Sequence, residues 1–483
     1  MAVMLTAIML LFTIPAMGLA IDAGVMYVIR GRLTAACDAA SLATARNLNM
    51  GLTLEEQTVA ATARGTAFFT ANFPSGYLGT SGTVPVIGVA QTNLSTLTVT
   101  TTATTNAPLY FMRILGGTTA VAGAVGKASR RDVNMMIVLD RSGSMSGTPC
   151  TSMKTAATTF VNMFVNGRDT LGLVTYNGSV YLAYPPTVNF RVAGSLLTDA
   201  IAAIRCSGAT NASDSYMTAY NQLVTLNEPL ALNLIVFFTD GMPTAFAATF
   251  PIKTVSDTRY GGTSFSCGTG SQCAIPQSTC TDDSGLTSTT AGWGTFAGKT
   301  AVIAAATPVT STTGNTLGLL TRNVSDSTSG DTMASAALLT GCAVATSWTR
   351  VRQDVAYIPN TDINGLSTSG YQSVTQFASS HAAYPDKKRP DFPLNITRVA
   401  MNLADNAAAT ARANTTINPV TYTIGLGGNG GVDEGLLKRM ANDPGSAVHD
   451  ATKTDGLYVY APNSSDLNQA FARIASEILR LAQ

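Results

Sequence analysis

The chain of 483 residues begins with a stretch that is apolar and uncharged. No charged side chain occurs from Met1 to Ile21, and an α-helix of that length measures about 31 Å, close to the hydrocarbon thickness of a bilayer. The pattern predicts a transmembrane helix over residues 1–21, continued by an Ala-rich helical segment over residues 22–70. A cleaved signal peptide is the alternative, but no basic residue precedes the apolar stretch and the helical pattern continues to Asn47.

The orientation of this predicted anchor stays open because two signals oppose each other. Arg30 and Arg32 follow the apolar stretch, and the positive-inside rule would place them in the cytoplasm. The cysteines in the rest of the chain favour an oxidising compartment outside it. Basic residues ahead of Met1 in a longer chain would resolve this conflict.

A period of two in the apolar positions follows the helical region. Residues 84–91 and 95–105 are rich in β-branched side chains at alternate positions, and residues 119–129 form a third such stretch. Residues 108–116 have the pattern of a short amphipathic turn. We predict a small β-rich domain over residues 71–132 and interpret it as a stalk, because no catalytic combination of side chains occurs in it.

The rest of the chain alternates apolar strands with helical spacing. The runs 135–140 and 233–241 are almost continuously apolar, which is typical of parallel strands buried on both faces. Further strands are predicted at 169–178 and 420–428, and helices at 151–165, 213–225, 434–442 and 466–482. This pattern predicts a doubly wound α/β domain. Its two parts are residues 133–244 and 393–483, and residues 245–392 are predicted to form a long insertion that is braced by disulfides.

Composition excludes some classes of protein. Hydrophobic residues make up 46% of the chain and charged residues 12%, which is too apolar for a disordered polypeptide. The 29 basic and 28 acidic side chains leave a net charge of +1. Such a chain has no strong field to attract nucleic acid, so we expect no nucleic-acid partner.

Seven cysteines and two histidines limit the metal chemistry. His381 and His449 lie far apart and no C-x-x-C occurs, so a structural zinc site is not expected. Six cysteines fall in the Ser/Thr-rich body: Cys150, Cys206, Cys267, Cys273, Cys280 and Cys342. They are consistent with disulfides, with fifteen possible pairings, or with inert buried thiols. Cys37 lies in the helical region and is predicted to be free.

Oxygen-bearing side chains follow the two buried runs. Asp140, Ser142 and Ser144 form a D-x-S-x-S pattern at the end of the first run, and Asp240 ends the second. Thr210 precedes the helix at 213–225. The carboxyl ends of parallel strands meet at one edge of a sheet, where ligands bind. Taken singly, these residues could instead cap helices or end a strand in a turn.

The N-terminal region resembles the TadE/TadG-like segment of tight-adherence pilus proteins. The family's motif is an apolar helix followed by Asp-x-Gly, a Tyr, Arg-x-x-Leu and a D-A-A-x-L-A run. The matching positions are Asp22, Gly24, Tyr27, Arg30, Leu33, Asp38, Ala39, Ala40, Leu42 and Ala43. A type IV-like pilin subunit is the alternative. Such pilins carry a glutamate early in the apolar helix, whereas the first glutamate here is Glu55.

The second half resembles the von Willebrand factor A domain, whose metal-ion-dependent adhesion site combines D-x-S-x-S with a separate Thr and a separate Asp. The resemblance implies that a divalent cation, Mg²⁺ or another such as Mn²⁺ or Ca²⁺, binds Asp140, Ser142, Ser144, Thr210 and Asp240. It implies a protein partner that presents an acidic side chain to the cation. Cys150 and Cys206 then lie on two loops of the metal site, and we predict a disulfide between them.

These resemblances imply a membrane-anchored, extracytoplasmic, metal-dependent adhesion or interaction protein of Flp-type pilus assembly. A structural subunit whose metal only stabilises loops is the alternative. A metal-dependent hydrolase is less favoured because no general base is visible near the motif, so we expect no enzyme activity. The pattern G-x-G-x-x-G at 425–430 is followed by only 53 residues, too few for the rest of a dinucleotide fold, so we expect no nucleotide partner.

Overall fold

The chain forms two compact units, one up to Asp132 together with the residues from Ile478 onward, and one from Val133 to Glu477. The computed structural model describes residues 2–48, 54–93, 96–250, 300–305, 357–376, 386–390, 393–428 and 431–482.

In the first unit, two helices cover one face of a three-stranded antiparallel sheet with the order β1-β2-β3. Its elements are α1 (Ala2–Asn47), α2 (Leu54–Asn72), β1 (Ser81–Asn93), β2 (Thr96–Pro108) and β3 (Thr119–Arg131). The three strands predicted in this region are confirmed. The turn predicted at 108–116 contains a short 3₁₀ helix, Met112–Leu115.

Alternation along β2 explains why only one face of this sheet is covered. From Leu97 to Ala107 every second residue is buried, Val99 and Ala103 among them, and the residues in the intervening positions are more exposed, as a period of two requires. The strand β3 lies so close to α1 that a β-carbon at Gly126 would overlap the backbone of Cys37. Cys37 is buried and free, as predicted, and burial raises the pKa of its thiol to about 11.

Asp22 of the N-terminal motif fixes the 3₁₀ helix against α1. Its carboxylate accepts hydrogen bonds from the backbone N–H of Tyr110 (2.8 Å), Phe111 (3.1 Å) and Met112 (2.8 Å). These hydrogen bonds, the one from Met112 foremost, lower the pKa of Asp22. The aspartate of the motif therefore has a structural task in this unit.

Among the residues that the structure describes, no helix is both long enough and apolar enough to cross a membrane. The helix predicted at the start of the chain is present as part of α1. Its prediction as a transmembrane span over residues 1–21 is not confirmed.

The second unit is built on a six-stranded sheet with the order β13-β12-β9-β4-β5-β6, in which only β6 is antiparallel to its neighbour. Its elements in chain order are β4 (Val133–Asp140), α3 (Thr148–Val161), β5 (Thr170–Tyr176), β6 (Val180–Thr187), β7 (Arg191–Val192), β8 (Ser195–Leu196), α4 (Leu197–Ala203), α5 (Ala212–Leu226), β9 (Leu232–Thr239), β10 (Ala245–Thr249), β11 (Thr300–Ala304), α6 (Pro393–Ala413), β12 (Val420–Leu426), α7 (Glu434–Ala441), β13 (Leu457–Ala461) and α8 (Leu467–Leu481), which begins in this unit.

Helices cover both faces of this sheet, as the doubly wound pattern predicts. Neighbouring residues of β9 show it: the ring of Phe237 lies 5.4 Å from that of Tyr176 and 6.3 Å from that of Tyr216 in α5. Phe238 points to the opposite face, 6.0 Å from Phe471 of α8. Every residue of β4 and β9 is buried, as expected of central parallel strands that are covered on both faces.

The described part of residues 245–392 includes an antiparallel pair, β10 and β11, and a segment at 357–376. The backbone of Ile363 in this segment donates a hydrogen bond to Ala247 of β10 (3.1 Å). Cys267, Cys273, Cys280 and Cys342 lie outside the described residues, as does His381. The prediction that disulfides brace the insertion therefore stays a prediction.

Candidate metal centre

Asp140 occupies the last position of the central strand β4. It is fully buried and lies in register with Tyr176, the last residue of β5. One carboxylate oxygen, Oδ1, accepts a hydrogen bond from the backbone N–H of Ser142 (2.8 Å). The other, Oδ2, accepts one from the hydroxyl of Thr239 at the end of β9 (2.6 Å). The carboxylate is thus oriented from both adjoining loops.

The two serines connect this strand end to Asp240. The hydroxyls of Ser142 and Ser144 lie 3.1 Å apart, and the Ser144 hydroxyl donates to Oδ1 of Asp240 over 2.7 Å. Ser144 lies in a short 3₁₀ helix, Gly143–Met145, directly after β4. Four of the five predicted ligands, Asp140, Ser142, Ser144 and Asp240, therefore belong to one small cluster.

Thr210 reaches the same region through its backbone. Its N–H donates to the hydroxyl of Thr244 (3.0 Å), and its carbonyl accepts from the N–H of Thr244 (2.9 Å), on the loop that follows Asp240. Two residues before Thr210, the carbonyl of Gly208 accepts a hydrogen bond from Gly143 within the D-x-S-x-S loop (2.8 Å). The loop that carries Thr210 is therefore joined by backbone hydrogen bonds both to the D-x-S-x-S loop and to the loop that follows Asp240.

Burial makes the two carboxylates unfavourable as a pair of bare anions. Removal from solvent and, to a smaller extent, repulsion from Asp240 raise the pKa of Asp140 to about 7. Removal from solvent likewise raises the pKa of Asp240. A positive charge between them would stabilise the charged forms of both carboxylates.

A disulfide connects two segments at the edge of this cluster. Cys150 at the start of α3 is bonded to Cys206, with Cα atoms 6.2 Å apart, so the predicted pairing is confirmed. Next to it, the Ser146 hydroxyl donates to the carbonyl of Cys206 (3.1 Å), and the N–H of Ser207 donates to the carbonyl of Arg141 (2.7 Å). The region from the D-x-S-x-S loop to the start of α3 is therefore held to the loop before Thr210 by the disulfide and by hydrogen bonds.

Two residues that the sequence did not single out also shape the cluster. Thr239 donates to Asp140, and only its position immediately before Asp240 could have suggested this. Tyr176 is fully buried beside Asp140 and donates its hydroxyl hydrogen bond to the carbonyl of Phe238 (3.1 Å). Its place depends on strand register, which no local sequence pattern signals.

The donor atoms of the cluster suit a hard divalent cation. All five predicted ligands offer oxygen, which Mg²⁺ and Ca²⁺ prefer. Among the described residues there is no group of three or more histidine, cysteine, aspartate or glutamate side chains placed to hold a metal ion. A cation here would therefore depend on hydroxyl groups as well as on the two carboxylates.

Comparison with known families finds matches for two segments of the chain. Residues 135–242 match the family described as von Willebrand factor type A domain, and residues 1–47 match the Flp pilus-assembly TadE/G-like family. Both resemblances drawn from the motifs are confirmed. No functionally curated protein matches the chain by sequence.

Solved structures similar to the chain include three pilus proteins. The von Willebrand factor domain of the type V pili tip protein Mfa5 from Porphyromonas gingivalis is 17% identical, with 74% of this chain and 98% of that one covered and a TM-score of 0.36. The PilB minor pilin from Streptococcus sanguinis is 12% identical (84% and 79% covered, TM-score 0.36). The pilus adhesin SpaC from Lactobacillus rhamnosus GG is 11% identical (82% and 34% covered, TM-score 0.36).

Proposed function

We propose that this chain, which combines a TadE/G-like N-terminal segment with a von Willebrand factor type A domain, is an envelope protein of Flp-type pilus assembly that binds a partner protein through a divalent cation. The observation that carries the proposal is the pair of buried carboxylates, Asp140 and Asp240, linked through the hydroxyls of Ser142 and Ser144. Such a pair is costly without a counter-charge. The family match of residues 1–47 supports the connection to pili.

The cation would be held by Asp140, Ser142, Ser144, Thr210 and Asp240. When bound, it supplies a positive centre that accepts an oxygen ligand from outside the chain. Two carboxylates offset the charge of a divalent ion. A neutral site with an open coordination position then accepts one more carboxylate, because the site carries no net negative charge to repel it. We propose binding and not catalysis, because both carboxylates would be engaged by the cation and neither would serve as a general base.

We further propose that the N-terminal helix anchors the protein in the cell membrane as a single span and that the main unit lies outside the cytoplasm. The uncharged stretch from Met1 to Ile21 supports the anchor. The disulfide between Cys150 and Cys206 supports the location, because such bonds persist in oxidising compartments.

The test of the function is partner capture by the purified full-length chain. Immobilised protein is exposed to envelope extracts in Mg²⁺, and the retained proteins are eluted with EDTA and quantified. We expect a partner that is retained by the unsubstituted chain and by Asp199→Ala, which removes an exposed carboxylate from α4. Asp140→Ala should not retain it.

The structural alternative gives a different result in the same experiment. If the cation only stabilises the loops, Mg²⁺ raises the unfolding temperature but no protein is released by EDTA. Capture that is equal for Asp140→Ala and Asp199→Ala would contradict the proposed function.

A further inference from the structure

A cleft opens from the candidate metal centre toward one edge of the sheet. It begins at Ser144 and Asp240 and continues past Pro149 to the ends of β12 and β13, where Gly428 and Ser464 line it. Its volume is about 410 Å³, at the lower end of the range of ligand pockets. A cleft of this size holds a short stretch of polypeptide and not a folded domain.

Two glycines without side chains, directly after β12, form one wall of the cleft. A β-carbon at Gly427 would lie 2.6 Å from the carbonyl oxygen of Pro462 and 2.6 Å from the hydroxyl of Tyr460, so this position requires the close packing of a glycine. A β-carbon at Gly428 would meet no atom within 4 Å. The space in front of Gly428 is therefore open, and a larger side chain there would project into it without displacing the backbone.

The far wall offers hydrogen-bonding groups without charge. Ser464 and Ser465 precede α8, and neither hydroxyl has a partner among the described residues. The side chain of Asn463 is used in a capping box with Asp466. Among the described lining residues, Asp240 is the charged one, and it belongs to the candidate metal centre.

The two ends of the cleft therefore differ in charge. At one end, a cation would attract a carboxylate. Over the remaining length, the described lining residues are uncharged. They offer no cation to pair with a second acidic side chain and no anion to pair with a basic one. Exposed peptide groups, in contrast, find hydroxyl and backbone partners there.

We propose that the cleft binds an extended segment of the partner protein in which one acidic residue is flanked by small, uncharged residues such as serine, glycine or alanine. This inference rests on the proposed function, because the acidic residue is the ligand of the cation. The flanking residues lie between Gly428 and Ser465. They give the interaction its selectivity, since the cation alone would accept any carboxylate.

The experiment uses the full-length chain and three fluorescent synthetic peptides with a central aspartate. The aspartate is flanked by serine and glycine in the first peptide, by lysine in the second and by glutamate in the third. Binding is measured by fluorescence polarisation in Mn²⁺. The affinity for Mn²⁺ itself is measured separately by electron paramagnetic resonance. We expect the first peptide to bind at least about tenfold more tightly than the other two.

Substitution of Gly428 tests the cleft without touching the metal residues. Gly428→Trp fills the open space and should weaken binding of the first peptide at least about tenfold, with Mn²⁺ affinity within about twofold of the unsubstituted chain. Gly428→Ala is the matched control and should bind the peptide normally. Ser465→Trp, on the opposite wall, replaces Gly428→Trp if that variant lowers the unfolding temperature.

The outcomes separate this inference from the proposed function. Equal binding of the three peptides, undiminished binding by Gly428→Trp and Ser465→Trp, or no peptide binding by a chain that binds Mn²⁺ would each overturn the inference and leave the metal centre intact. Failure of the chain to bind Mn²⁺ at all would overturn both.

Discussion

At the scale of single residues, the chemistry of this protein centres on two carboxylates that are far apart in sequence and share one set of hydroxyls. Asp140 accepts hydrogen bonds from Ser142 and Thr239, and Asp240 accepts one from Ser144. These bonds favour the charged forms, but removal from solvent outweighs them and raises the pKa of both carboxyl groups. The buried pair therefore favours protonation, and the proposed cation would compete with the proton for it.

This balance gives the unfolding free energy an unusual pH dependence. The pKa of Asp140 is about 7 in the folded chain and about 3.9 in an unfolded one, so the folded state binds the proton more tightly. In EDTA, lowering the pH from 7.5 to 5.5 should therefore stabilise the protein, by roughly 1 kcal/mol or more. Urea unfolding at the two pH values measures this.

In saturating Mg²⁺ the same change of pH should leave the stability nearly unchanged through this site, because the bound ion keeps the carboxylate deprotonated and the unfolded chain binds almost no proton above pH 5. Asp140→Asn should remove most of the stabilisation in EDTA. Stability in EDTA that falls between pH 7.5 and 5.5 would contradict the assigned pKa shift.

At the scale of elements, the sequence predicted most strands and helices because their apolar patterns are strong. The runs ending at Asp140 and Asp240 are buried strands, as expected, and they lead into the loops of the candidate metal centre. The pairing of Asp140 with Tyr176 could not be predicted, because it depends on register between strands. The contact of Gly126 with Cys37 depends on the distance between a helix and a sheet, and no local pattern of residues sets that distance.

Gly126 on β3 therefore offers a test of the packing in the first unit. Gly126→Ala places a methyl group against the backbone of Cys37, and neither α1 nor β3 has room to move apart without cost. We expect a loss of about 1–3 kcal/mol in unfolding free energy. Gly123→Ala on the same strand is the control, because its methyl group would make only ordinary contacts near 3.8 Å. Equal stability of the two variants in urea unfolding would contradict this packing.

The disulfide between α3 and the loop before α5 is a second element-scale feature. It closes a loop with a sequence separation of 56, for which the loss of unfolded-chain entropy corresponds to about 4 kcal/mol. We expect the double substitution Cys150→Ala with Cys206→Ala to lose about this much stability. It should also weaken Mg²⁺ binding several-fold, because the disulfide joins two metal loops.

Cys37→Ala is the matched cysteine control for this prediction. Cys37 is free and buried in the first unit, so its substitution should leave the affinity for Mg²⁺ unchanged. An unaltered affinity in the Cys150/Cys206 double variant, measured by calorimetric titration, would show that the disulfide does not position the metal loops.

At the scale of the whole molecule, the chain is divided between a unit that carries the TadE/G-like helix and a unit that carries the von Willebrand factor A domain. Sequence motifs identified both, since the Asp22 and D-x-S-x-S patterns are local. The membrane span was predicted from the absence of charge over residues 1–21, and no described helix meets the requirement for one. The pairing of the four cysteines in the insertion could not be predicted, because four thiols allow three arrangements that the sequence does not distinguish.

The central claim is that one divalent cation binds at Asp140, Ser142, Ser144, Thr210 and Asp240 and mediates partner binding. Isothermal titration of Mg²⁺ into the metal-free full-length chain tests it most directly. The predicted result is one ion per chain for the unsubstituted protein and for Asp199→Ala, with binding abolished in Asp140→Ala. Equal binding of Mg²⁺ by the Asp140→Ala and Asp199→Ala variants, or no binding by the unsubstituted chain, would contradict it.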